Sequence, residues 1–284
     1  MTQLAGIFGY PLSHSLSPAF QQAAFNHYGL DVRYIAWETP PEGLAEEVAK
    51  LRSGDFIGAN VTIPHKESVI ALLDEVDPLA QSIGAVNTIV KNAGRLVGHN
   101  TDAHGFMREL KEDGGFEPNG KRVLLLGAGG AARAAAFALS REGVASITIA
   151  NRNVSRAEAL AAALHNDAVS VFAAVLDDTT LETVALESDL IVNCTSVGMR
   201  HGDNEAQTPL SGGIIPHEAV VMDMVYNPQN TPFLSGARSA GATALGGLPM
   251  LIYQGAAAFE MWTGQTAPLE AMFAAGNVAL LKMD

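Results

Sequence analysis

The sequence predicts an α/β protein of two domains, and three observations carry that expectation. Short apolar runs of strand length alternate with helical segments through the middle of the chain. One of these runs, Val123–Leu126, opens directly into a glycine-rich turn and an alanine-rich helix. The first hundred or so residues follow a different rhythm of strand, proline break and hairpin. With 284 residues and a 48% hydrophobic composition, the chain is long enough for two cores. The expected division is residues 1–105 plus 249–284 for one domain and 106–248 for the other.

From the N-terminus, AGIFGYPL begins with a short strand. Ser17-Pro18 then reads as a helix N-cap followed by proline in the first turn. Ala19, Phe20, Ala23, Ala24 and His27 mark one helical face, and Gly29 ends the helix. Ser15 and Ser17 set two hydroxyls beside the helix N-terminus, an arrangement that suits either capping or a bound carboxylate. His14 in the same loop is assigned no role. FIGANVTIPHKESVIALLDEV reads as strand, proline break and helix. With period 2, Asn60 and Thr62 share one face of that strand, and polar side chains there need partners that a polyhydroxylated ligand supplies. Lys66, at the expected start of the next helix, fits either a surface lysine or a proton donor and acceptor. GAVNTIVKNAGRLVGHNTDAHG reads as a β-hairpin turning at Asn92-Ala93-Gly94. That turn sets Asn87 opposite His99 or Asn100, with Asp102 a few residues on and placed to orient an amine. His99, Asp102 and His104 lack metal-site spacing, so no metal is expected.

In the middle of the chain, Gly127, Gly129 and Ala132 match the G-x-G-x-x-G/A pattern, with Gly130 as an additional glycine. The first glycine permits a tight turn, the second lets a pyrophosphate approach the backbone, and Ala132 lets helix and strand pack closely. Free N–H groups at the helix start then face the phosphate. Gly143 is expected to stop that helix, and SITIAN to close a βαβ unit of Rossmann type. An acid that binds both ribose hydroxyls of NAD is expected about 20 residues past the glycines. Asn151 stands there instead, followed by Arg152 and Arg156, four apart and near a helix start. Two guanidiniums at that place match the 2′-phosphate of NADP, which they grip with forked hydrogen bonds. The alternative is that Arg156 pairs with Glu158 or another surface acid. VSVFAAV, DLIVNCTSVG, VVMDMVYNP and TALGG read as further strands. TPFLSGARSAG is a short helix capped by Thr231 with Pro232 behind it. The loops around Thr195, Ser196, Val225 and Tyr226, at strand C-terminal ends, fit a ligand crevice, although Thr195 and Ser196 also fit simple turn residues. Cys194 reads as a small core residue. GGLPMLIYQGAAAFEMWTG begins a long helix on which Met250 and Gln254 share a face, and TAPLEAMFAAGNVALLKM is the last helix.

The blocks SHSLSP, GANVTIPHK, GAVNT, HNTDAHG, GAGGAARA, NRNVSRA, NCTSVGM and GGLPMLIYQGA together resemble, in order and over essentially the whole chain, the shikimate dehydrogenase family. The resemblance implies NADPH-linked interconversion of 3-dehydroshikimate and shikimate in aromatic amino-acid biosynthesis. It implies that Ser15 and Ser17 hold the substrate carboxylate, and that Asn60, Thr62, Asn87, Asp102 and Gln254 hold its hydroxyls. Lys66 and Asp102 are implied as the catalytic pair, with Tyr226 a neighbour of the substrate. For the cofactor it implies Gly127, Ala128, Gly129, Gly130, Ala131, Ala132, Asn151, Arg152, Asn153 and Arg156, with Thr195, Ser196 and Val225 in the crevice loops. Gly247 and Met250 are implied beside the nicotinamide. This chain departs from the family pattern at Asn153, often threonine, and at Pro249, often glycine. Oxidation of quinate or aminoshikimate, or an idle ligand-sensing role, stays as an alternative. A net charge of −13 argues against a broad nucleic-acid face. The single Cys194 fits a reducing compartment, and neither a signal peptide nor an 18-residue apolar run is present, so a cytoplasmic monomer or homodimer is expected.

Overall fold

A computed structural model describes residues 2–13, 15–164 and 169–283, so His14 lies outside the described residues. The chain divides into two compact units, one of Met1–Gly105 and Ile252–Asp284, the other of Phe106–Leu251.

The first unit is built on six strands: β1 (Gln3–Gly9), β2 (Val32–Glu38), β3 (Phe56–Val61), β4 (Glu75–Val76), β5 (Thr88–Asn92) and β6 (Arg95–His99). Their order is β2-β1-β3-β5-β6-β4. The sheet is mixed, because β1 runs parallel to β2 and β3 while the β5–β6 hairpin returns antiparallel beside β3. The hairpin turns on Ala93 and Gly94, both with positive φ, as a two-residue turn between twisted strands requires. Its register pairs Thr88 with His99, which leaves Asn87 and Asn100 at the open end. Helices α1 (Ser17–His27), α2 (Leu44–Lys50) and α3 (Pro78–Ile83) join the strands. Phe8, Val61, Ile89 and Leu96 from the sheet share one core with Leu44, Val48 and Leu51.

Two local expectations are corrected here. Leu16, not Ser17, occupies the N-cap of α1, and Ser17 is already helical with Pro18 behind it. The buried face is Ser17, Phe20, Gln21, Ala24 and Phe25, whereas His27 is exposed. Polar Ser17 and Gln21 thus lie on the inward face, which apolar periodicity alone does not select. The segment after Pro64 is not an α-helix either. It forms a 3-10 turn over Ser68–Leu72, and Lys66 stands in the bend before it.

Helix α4 (Asp102–Arg108) leads the chain into the second unit and continues as one π-helical turn, Glu109–Asp113. Six parallel strands follow: β7 (Arg122–Leu126), β8 (Ser146–Asn151), β9 (Ser170–Val175), β10 (Leu190–Asn193), β11 (Val220–Asp223) and β12 (Thr243–Gly246). The helices between them are α5 (Gly130–Arg141), α6 (Val154–Leu164), α7 (Asp178–Leu186) and α8 (Pro232–Ala240). The order β12-β11-β10-β7-β8-β9 is the doubly wound Rossmann arrangement, with its reversal between β7 and β10. Leu124, Leu126, Ile191 and Val221 form its core with Leu181 and Phe233. Thr231 caps α8 by accepting the Leu234 N–H at 3.2 Å. Helix α9 (Gly247–Thr263) carries the chain back, and α10 (Leu269–Leu281) packs along α1. Pro249 is the third residue of α9, where its missing N–H costs nothing. Among the described residues, no helix is long and apolar enough to cross a membrane.

Candidate active site

In the first unit, the hairpin mouth and the start of α4 bring a lysine and a carboxylate together. Lys66 Nζ lies 2.7 Å from Asp102 Oδ2. Their side chains are 22% and 11% exposed, so the pair is partly withdrawn from water yet still reachable. The other carboxylate oxygen, Oδ1, accepts from Asn87 Nδ2 at 2.8 Å. The same Asn87 amide stands 3.2 Å from Gln254 Oε1, on α9, and 2.9 Å from Thr101 Oγ1. Asn87, Thr101 and Gln254 are all buried. Lys66 Nζ therefore faces a carboxylate that the buried Asn87 amide holds in place. A lysine and a carboxylate held this way can exchange a proton with a bound ligand.

The structure also brings Asn60 into this cluster, through Thr88 Oγ1 at 3.1 Å. Thr62 lies one residue past β3 and half-buried, with its hydroxyl in none of the hydrogen bonds found among the described residues. Ser15 Oγ accepts the Ser17 N–H at 3.4 Å, so Ser15 does part of the work expected of a cap. Ser17 is buried and its own hydroxyl is not spent on the helix end.

In the second unit, the glycine-rich turn is shaped for a ligand that the side chains leave room for. Gly127 has φ +113, and a Cβ there would stand 3.0 Å from Thr195 Cγ2 and 3.3 Å from the Cys194 backbone. Gly129, the N-cap of α5, and Gly130 face open space, and no side chain caps the helix. An uncapped N-terminus without acidic residues in its first turn fits a pyrophosphate. Ala128 and Ala131 are half-buried in the same turn, and Ala132 is fully buried behind it. Asn151 ends β8, its Nδ2 donating to the Asn153 carbonyl at 2.8 Å. Asn153 Oδ1 accepts the Ser155 N–H at 3.1 Å, so asparagine serves at this helix start. Arg152 and Arg156 are exposed and make no ion pair among the described residues. That leaves both guanidiniums available to a 2′-phosphate.

Several of the other named residues also have local partners. The Thr195 hydroxyl donates to Asn193 Oδ1 at 2.7 Å and accepts the Val197 N–H at 3.1 Å, so it closes its own turn. Ser196 is exposed beside it. Gly247 is required by close packing, because a Cβ would meet the Met224 carbonyl at 2.5 Å. Met250 is buried, and its N–H donates to Glu109 at 2.9 Å. Tyr226 is half-buried after β11, next to buried Val225, and burial raises its phenol above the ordinary value. Cys194 is partly buried rather than a sealed core residue, and desolvation pushes its thiol well up.

Sequence reasoning missed Thr88 and Thr101, although both stand inside motifs that it singled out. It also missed Tyr34, and a buried triad behind the loops after β10 and β11. Asp223 accepts from Asn193 at 2.8 Å, from Thr231 at 2.6 Å and from the Val225 N–H at 3.0 Å. Burial raises the Asp223 carboxyl, while these donors act against the rise. The triad ties the loops after β10 and β11 to the start of α8.

Three family models match consecutive parts of the chain. They are a shikimate dehydrogenase substrate binding domain over residues 7–89, a shikimate / quinate 5-dehydrogenase domain over 110–206 and a shikimate 5′-dehydrogenase C-terminal domain over 247–275. A shikimate dehydrogenase (NADP(+)) of Methanopyrus kandleri is 47% identical over 273 residues, 95% of this chain and 93% of the relative. The chain belongs to the shikimate dehydrogenase family. Within that family, the shikimate 5-dehydrogenase from Thermus thermophilus, solved with NADP(H) and shikimate, has a TM-score of 0.87 at 40% identity, covering 98% of this chain and 99% of that one. The family resemblance also extends to a quinate dehydrogenase from Corynebacterium glutamicum in complex with NAD, at TM-score 0.87 and 33% identity, covering 98% and 99%.

Proposed function

We propose that this chain is an NADP-dependent shikimate dehydrogenase that reversibly reduces 3-dehydroshikimate to shikimate, with Lys66 and Asp102 as its acid–base pair. The observation that carries the reading is the 2.7 Å contact of Lys66 Nζ with Asp102, in a cluster completed by Asn87 and Gln254. Family membership and the NADP-linked relatives support the reaction and the cofactor.

The first unit binds the substrate. Ser15 and Ser17 take its carboxylate, while Asn60, Thr62, Asn87, Asp102 and Gln254 divide its hydroxyls, with Tyr226 a neighbour. The second unit binds NADP. Gly127 to Ala132 receive the pyrophosphate, Asn151, Arg152, Asn153 and Arg156 take the adenosine side, and Thr195, Ser196, Val225, Gly247 and Met250 line the rest. Bound NADPH supplies the hydride. As charge develops on the carbonyl oxygen, Lys66 stabilises it and then donates a proton, while Asp102 keeps the ammonium aimed. In the oxidative direction the same lysine accepts the hydroxyl proton.

Steady-state rates for shikimate and quinate, each with NADP and with NAD, test the assignment. The expected order puts shikimate with NADP first by at least about 10-fold in kcat/KM over the other three pairs. Preference for quinate with NAD would reassign the chain to the quinate branch that the family also contains.

A further inference from the structure

A directed line of hydrogen bonds joins Tyr34 to Asp102, and its direction follows from groups that can only accept. Asn60 Nδ2 faces the Asn87 carbonyl at 3.3 Å and Thr88 Oγ1 at 3.1 Å. A carbonyl only accepts, so the amide orientation is forced and Asn60 Oδ1 meets the Tyr34 phenol at 2.8 Å. The phenol's one proton is committed to Asn60. Thr88 already accepts from Asn60, so its proton goes to Asn87 Oδ1 or Thr101 Oγ1, both at 3.1 Å. The Thr101 N–H fixes Asn87 Oδ1 at 2.7 Å, which turns Asn87 Nδ2 toward Asp102. The donors all point one way, toward the carboxylate. Tyr34 is 6% exposed and Thr88 is fully buried, so water does not replace a lost member.

We propose that Tyr34 and Thr88 are positioning residues that hold Asn60 and Asn87 so as to fix the Asp102 carboxylate against Lys66. The inference rests on the reading of Lys66 and Asp102 as the acid–base pair. Both residues act through the asparagines. Aligned donors in a low-dielectric interior polarise one another, so the line behaves as a unit.

The test compares Tyr34→Phe, Thr88→Val and Thr88→Ser with Lys66→Met, each alone, and adds Tyr34→Phe to Asp102→Asn. We expect Tyr34→Phe and Thr88→Val each to lower kcat by about 10-fold or more while KM for NADP stays within about twofold. Thr88→Ser, which keeps the hydroxyl, should restore most of the loss. In the Asp102→Asn background, Tyr34→Phe should add little, because its target is already gone. This comparison within one background holds even if Thr88→Val fails to fold. Severe loss in Lys66→Met with wild-type kcat in Tyr34→Phe and Thr88→Val overturns the positioning role alone. A full multiplicative loss on top of Asp102→Asn overturns it as well. Near-normal turnover in Lys66→Met overturns the acid–base reading, and the positioning role with it.

Discussion

Lys66 and Asp102 stand 36 residues apart in sequence and 2.7 Å apart in space, and no local rule pairs them. Lys66→Met keeps most of the stem volume and removes the ammonium. Its turnover number is expected to fall by at least about 100-fold, with KM for both ligands changing far less. Asp102→Asn should also be severe, and the double variant less than multiplicative if the two act as a unit. Steady-state kinetics of the three variants read this directly. If Lys66→Met keeps turnover and only raises KM for shikimate, the lysine is an anchor and the proton comes from elsewhere. The serines make a complementary case. Ser17 does not cap α1, so its loss leaves the helix end unchanged. Ser15→Ala with Ser17→Ala should raise KM for shikimate by about 10-fold or more and cost no more than about 1 kcal/mol of stability. Unchanged KM with a lowered Tm would return both hydroxyls to a structural role.

At the scale of elements, the junction of the π-helical turn after α4 with the start of α9 carries a buried acid. Glu109 is fully buried, one oxygen accepts the Met250 N–H at 2.9 Å, and the other has no partner among the described residues. Desolvation raises its carboxyl to about 8, the Met250 N–H opposing and Asp113 adding to the rise. A carboxyl raised in the folded state binds its proton more tightly folded than unfolded. The stability it contributes is full below the ordinary carboxylate range and is lost as pH rises toward about 8. Glu109→Gln keeps an acceptor for Met250 and removes the ionisation. Its Tm should match wild type near pH 5 and exceed it progressively up to pH 8, by on the order of 1–3 kcal/mol in stability. Thermal unfolding across that range checks it, and parallel curves for the two proteins would exclude an ionising Glu109.

For the molecule as a whole, ligand binding and stability are linked. NADP that binds only the folded chain raises its unfolding free energy by about 2.7 kcal/mol at 100 times Kd. The gain should appear as a higher Tm with NADP and a smaller one with the same concentration of NAD. Replacing Arg152 and Arg156 together should abolish the difference between the two cofactors and leave the unliganded stability within about 0.5 kcal/mol of wild type, because both side chains are exposed. An undiminished preference for NADP in that variant would place the 2′-phosphate elsewhere.

The sequence alone determined what depends on neighbours in the chain. The glycine-rich turn, the helix behind it and the arginines after β8 lie within one βαβ unit, where backbone geometry and residue type act together over some 30 residues. The hairpin turn at Asn92-Ala93-Gly94 was legible for the same reason and set Asn87 opposite His99 or Asn100, and the pairing of Thr88 with His99 then decided between them. Tertiary structure decided what depends on packing. Whether Ser17 caps a helix or turns inward depends on where α1 sets its buried face, and Leu16 took the cap. The helix expected at Lys66 became a bend and a short 3-10 turn, leaving the lysine to its partner on α4. Thr88, Thr101 and Tyr34 carry no pattern of their own. Their hydroxyls matter because burial removes water as an alternative partner, so each must bond to whichever group the fold places within reach.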